Sequence, residues 1–213
     1  QIGYVCNEIA RASSRAATVE EVNSYWSRVF KEMSTSHGSD FRTERELEQA
    51  SLQATSLHFG ADTDSGALTQ ALYDYWARPE IFPESRDVLA RCDVPVCIVS
   101  NIDNADLATA LEHNGLSFDL IVTSEDCRAY KPRPEMFRKA LSLLGLSNKD
   151  VLHVGDSLSS DICGARALDI PVLWINRKGR SLPADGESPD YVSTDLTGIL
   201  NISNPLQGVE DVE

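Results

Sequence analysis

The chain predicts an α/β protein in which a doubly wound parallel sheet carries a small helical bundle. Two observations predict it. Short, β-branched apolar runs alternate with amphipathic stretches over 79–202, whereas 1–78 shows helical periodicity and no convincing strand. The change of texture falls at ARPEIFPESRD, where two prolines and a charge cluster mark a boundary.

In the first part, a helix starts almost at Gln1, and EEVNSYWSRVFKEM and ERELEQASLQATSLHFG space apolar residues by three and four. Trp26, Val29, Phe30 and Met33 make one such stripe, which core packing explains. SSRAAT, STSHGSD and GADTDSG break the helices, so three or four of them form the bundle. In the second part, VPVCIVSN reads as a strand buried on both faces, followed by a helix in DNADLATALEHNG that Gly115 stops. FDLIVTS is the next strand and RPEMFRKALSLLG the next helix, with Pro134 in its first turn and Met136, Phe137, Ala140, Leu141 and Leu144 along one side. VLHVGD, SSDICGARAL and PVLWIN complete the alternation as strand, helix and strand. Residues 203–213, rich in acids, form a loose C-terminal tail.

The composition, 42% hydrophobic and 24% charged, is that of a soluble globular protein, and no apolar run is long enough to cross a bilayer. With 33 acids against 19 bases the net charge is -14, which repels nucleic acid phosphates and anionic lipids; neither nucleic acid nor membrane is expected as a partner. Five scattered cysteines without a CxxC pair argue against a disulfide framework and a zinc site, and point to a reducing cytoplasmic home.

In a doubly wound sheet ligands bind at the carboxyl ends of the strands, and the candidate chemical residues all fall there. The first group is Asp156 and Asp161, at and just beyond the end of VLHVGD. Two carboxylates there suit magnesium, a hard cation that prefers oxygen ligands and keeps several waters. Turn and helix-start preferences would also account for both acids. Gly155 is expected to let the backbone turn tightly beside them. The second group is Ser100 and Asn101, where a hydroxyl and backbone amides before a helix can grip phosphoryl oxygens; helix capping is the plainer alternative. The third is Lys131 in AYKPRPEMF, a loop stiffened by two prolines. Alone it would be a solvated lysine; in this order along the chain it can supply a fixed positive charge to a phosphate.

Together, IVSN, AYKPRPEMF and VLHVGDSLSSD resemble the second, third and fourth motifs of the haloacid dehalogenase superfamily over roughly residues 82–176. The resemblance implies a Rossmann-like core over 79–202 and a helical cap over 1–78. It also implies that Ser100 and Asn101 bind the phosphoryl group, that Lys131 neutralises nucleophile and phosphate, and that Asp156 and Asp161 hold Mg2+. The expected activity is magnesium-dependent hydrolysis of a small phosphorylated metabolite through an aspartyl phosphate.

One departure matters. The family's first motif, a strand ending in DxDxT with the nucleophilic aspartate, is absent; DTDSG at 62–66 imitates the spacing but follows LHFGA and reads as a loop. That strand lies between those ending here at Ser100 and Asp156. The expectation is that about 10 to 25 residues, a strand and its loop, precede Gln1 in the native protein, and that the 213 residues alone are inactive. Two rival readings stand beside the phosphatase. A 2-haloacid dehalogenase needs no metal, and SEDCRAYKP resembles such enzymes, though they typically carry Ser and Asn where this chain has Gly155 and Asp156. A noncatalytic binding or regulatory protein with this fold would have no use for the first motif.

Overall fold

The structure, a computed structural model, describes residues 1–184 and 186–202. The expected acidic tail at 203–213 lies outside the described residues. The described chain divides into two compact units.

The first unit contains Gln1–Glu80, Asn101–Ser117 and Thr123–Tyr130. Its elements are α1 (Ile2–Ala12), α2 (Val19–Met33), a short 3-10 turn (Gly38–Asp40), α3 (Glu44–Phe59) and α4 (Ser65–Ala77), with α6 (Asn104–His113) and α7 (Ser124–Cys127) from later in the chain. Val5 and Ile9, Val22 and Trp26, Leu52 and Phe59, and Leu68 and Leu72 form its core, each pair on one helix face. The breaks read from sequence carry the helix starts. Thr18 and Thr43 close capping boxes with Glu21 and Glu46, and Asp64 of DTDSG caps α4 by accepting from the amides of Gly66 and Ala67. Gly60 ends α3 with φ +58, and a side chain there would also strike Ser14.

Residues 101–117 belong with these helices for an electrostatic reason. Asp103, the residue before α6, does not cap its own helix; it accepts from the first two amides of α3, Glu44 (2.8 Å) and Arg45 (3.1 Å). Arg45 in turn grips Asp106 through two hydrogen bonds and lies 4.2 Å over the Tyr73 ring.

The second unit contains Ile81–Ser100, Phe118–Val122 and the described residues from Lys131 onward. It holds α5 (Ser85–Arg91), β1 (Cys97–Ser100), most of β2 (Leu120–Thr123), α8 (Pro134–Leu144), β3 (His153–Gly155), α9 (Cys163–Arg166), β4 (Val172–Ile175) and β5 (Tyr191–Ser193). A π-helical turn, Leu158–Ile162, leads into α9 where the sequence reads as one continuous helix. β3, β4 and β5 pair in parallel, with His153 opposite Val172 and Gly155 opposite Trp174. All four residues of β4 are buried, as its apolar sequence requires.

The α/β class and the parallel pairing are those expected. The sheet is in two parts: β1 with β2, and β3 with β4 and β5. Among the described residues no strand pairs with the remaining edge of β1 or of β3. β5 escapes sequence reading because Tyr191 and Val192 are exposed at an edge, without the apolar run that marks the buried strands. No helix among the described residues is long and apolar enough to cross a membrane. The five cysteines are free thiols.

Candidate active site at the ends of β1 and β3

The second unit brings Lys131 and Asp161 together. Lys131 leaves the segment between β2 and α8, and its ammonium donates to Asp161 Oδ1 at 2.7 Å and to the Val99 carbonyl of β1 at 2.8 Å. Val99 immediately precedes Ser100, so the amine lies at the carboxyl end of β1. Both charged side chains are about nine-tenths buried. A buried pair of this kind is tolerated only with further hydrogen bonds. Asp161 has them: His153 Nε2 lies 3.1 Å from Oδ1, and the Ser157 amide donates to Oδ2 at 3.0 Å. Burial works against ionisation of Asp161, but the His153 hydrogen bond and the Lys131 charge outweigh it and hold the carboxyl well below the usual range.

Gly155 serves this carboxylate differently from the turn the sequence suggests. It is not among the glycines with positive φ, and a Cβ at its position would lie 2.4 Å from Asp161 Cγ. Its missing side chain is the space that Asp161 occupies.

Asp156 is exposed, and its side chain makes no hydrogen bond among the described residues; its backbone carbonyl accepts from Trp174 Nε1 at 3.1 Å and from the Arg180 guanidinium. Asn176 folds the following loop by accepting from the Arg180 amide and donating to the Arg180 carbonyl, which carries that guanidinium to Asp156. Ser100 is half-buried at the end of β1. Asn101 is grouped with the helical unit.

Among the described residues, no three or more His, Cys, Asp or Glu side chains cluster to hold a metal. Magnesium does not need such a cluster, since it is held by one or two carboxylates and retains water. Asp156 offers an unengaged, accessible carboxylate. Asp161 Oδ2 accepts from the Ser157 amide and keeps acceptor capacity. The donors present fit that ion.

His153 and Arg180 are contacts that the motif reading passed over. For His153 a signal was available: with a strand period of two it shares a face with Gly155, against which Asp161 packs. Nothing local in the sequence singles out Arg180.

The second unit is a parallel α/β unit that carries a lysine and two carboxylates at its strand ends. The model of the haloacid dehalogenase-like hydrolase family matches residues 7–169, and the chain belongs to that family. It is 29% identical over 162 residues to an (S)-2-haloacid dehalogenase from Pseudomonas sp. (strain YL), covering 74% of this chain and 69% of that one. It is 30% identical over 150 residues to a phosphoserine phosphatase from Thermus thermophilus, covering 66% of this chain and 58% of that one. In structure it is similar to an L-2-haloacid dehalogenase from Xanthobacter autotrophicus, with a TM-score of 0.74 over 94% of this chain and 92% of the other at 20% identity, a likeness of fold alone.

Proposed function

We propose that this hydrolase is a magnesium-dependent phosphohydrolase acting on a small phosphorylated metabolite in the cytoplasm. The observation that carries the reading is the Asp156 carboxylate, exposed and unengaged on the loop that also positions Asp161. Asp156 and Asp161 would hold the ion, which when bound offsets negative charge on the transferring phosphoryl group. Ser100 donates its hydroxyl to a phosphoryl oxygen, with Asn101 beside it in sequence. Lys131, fixed by Val99 and Asp161, supplies a preorganised positive charge. In the family resemblance the nucleophile is an aspartate of a DxDxT segment. Its oxygen bonds to phosphorus as the alcohol leaves, and water then releases phosphate. The 213 residues contain no such segment.

The test uses protein carrying that segment ahead of Gln1 and a panel of small phosphate esters. Hydrolysis is expected with magnesium and lost in excess EDTA or in Asp156→Asn. Full hydrolysis in EDTA would remove the metal from the reaction. A second reading, 2-haloacid dehalogenase, is favoured by the 29% identity to the Pseudomonas enzyme. Halide release from a 2-haloacid, independent of EDTA and of Asp156, would establish it instead.

A further inference from the structure

Every element of the Lys131–Asp161 pair is held from outside, and one of the holding groups has no part in the chemistry described above. His153 starts β3, and its side chain is only 12% exposed. Its Nε2 meets the same oxygen, Oδ1 of Asp161, that receives the Lys131 ammonium. An ionised carboxylate can only accept, so Nε2 carries the hydrogen and donates it. The imidazole is itself fixed: the Phe137 ring of α8 meets it edge to face, with centroids 5.1 Å apart. Phe137 in turn lies so close to Gly164 of α9 that a Cβ there would be 2.5 Å from the ring. A chain of contacts therefore runs from Gly164 through Phe137 and His153 to Asp161 and the lysine.

We propose that His153 is a positioning residue: its Nε2–H locks the Asp161 carboxylate so that Oδ1 holds the Lys131 ammonium while Oδ2 stays on the Ser157 amide, toward the metal-binding loop. The lysine alone does not fix that orientation. An ammonium is a point charge that either oxygen can satisfy, whereas the imidazole is planar, rigid and confined by Phe137. With two donors on one oxygen and a backbone amide on the other, the carboxylate has a single well-satisfied rotamer. His153 thereby acts on the phosphate site through Asp161 and Lys131 without touching substrate. The proposal rests on the phosphohydrolase reading for its consequence, and on the hydrogen bonds alone for its geometry.

Three variants separate position from mere bulk. Gln places an amide nitrogen near Nε2 and should retain the bond to Asp161. Asn reaches only as far as Nδ1 and should lose it, as should Leu. The first readout needs no turnover: the 15N signal of the Lys131 ammonium in the 213-residue chain, visible while its protons are protected. It should persist in wild type and His153→Gln and be lost to rapid exchange in His153→Asn and His153→Leu. The second is the affinity for orthophosphate with Mg2+, read on that signal in wild type and on backbone amides around Ser157 in the variants. It should weaken about tenfold to hundredfold in His153→Asn, the usual cost of losing an outer hydrogen-bond partner, and recover in His153→Gln. An ammonium signal equally protected in all four proteins would overturn the proposal. A signal lost in His153→Asn and kept in His153→Gln, in a chain whose wild type ignores Mg2+ and orthophosphate, would uphold the positioning role, and the phosphohydrolase reading would fall if protein carrying the DxDxT segment ignored both as well. Should the Leu variant fail to fold, the Asn and Gln pair decides alone.

Discussion

Two buried carboxylates, one in each compact unit, meet opposite fates. Burial raises the pKa of both. Asp161 faces the Lys131 ammonium and the His153 N–H, which more than offset that penalty and keep it ionised. Glu48 of α3 is 9% exposed, its Oε2 has no hydrogen-bond partner, and burial pushes it up to about 7. Nearby Glu44 is raised too, by burial first and then by Glu48, Asp103 and Asp106. The contrast teaches that depth does not set charge. A donor or cation arranged around the carboxylate does.

The sharpest way to break the comparison is to remove the cation. Lys131→Ala in protein carrying the DxDxT segment should lower phosphate ester turnover about a hundredfold to a thousandfold, the usual effect of deleting one preorganised electrostatic contact. Lys139→Ala, on α8, serves as the control; equal turnover in the two variants would reduce Lys131 to a structural role.

The next effect is on stability against pH in the metal-free chain, and its sign differs between the two acids. Glu48 binds its proton more tightly folded than unfolded, so stability falls as pH rises from its ordinary 4.5 to about 7 and is flat above. The shift corresponds to on the order of 3 kcal/mol. Asp161 is depressed when folded, so its contribution is present above its ordinary 3.8 and is lost as pH falls below that value. Denaturant unfolding across pH should show Glu48→Gln flattening only the upper slope and Asp161→Asn only the acid limb. An unchanged upper slope in Glu48→Gln would mean that the glutamate is ionised.

Gly155→Ala should cost about 1–3 kcal/mol, because its methyl takes the space of Asp161 and the carboxylate must leave its donors. A melting temperature matching wild type would show that Asp161 shifts freely. The smallest effect belongs to a pair that neither burial nor a network strengthens. Arg28 and Glu32 meet at 3.1 Å on the exposed face of α2, and Arg28→Ala should change stability by less than about 0.5 kcal/mol. A larger loss would point to the stacking of Arg28 on Tyr25.

The amino-acid sequence by itself determined the type of the helices and strands with a clear apolar period, though not β5 or the π-helical turn before α9. Period 3.6 in α2 and α3 and the apolar runs of β1 and β4 are local properties that survive any arrangement of neighbours. Capping was local as well: Thr18, Thr43 and Asp64 act within three residues of themselves. Only the tertiary structure decided what those loops do. Asp103 sits where a helix cap would be read, yet its acceptors serve α3, 59 positions away. Asp161 looks like an exposed helix-start acid but is buried against Lys131, 30 positions earlier, and beside a glycine kept small for it. Which strands pair, β1 with β2 and β3 with β4 and β5, is decided between segments distant along the chain. Hydrogen bonds and charges act over a few ångströms of space regardless of separation along the chain, so their partners appear only once the chain is folded.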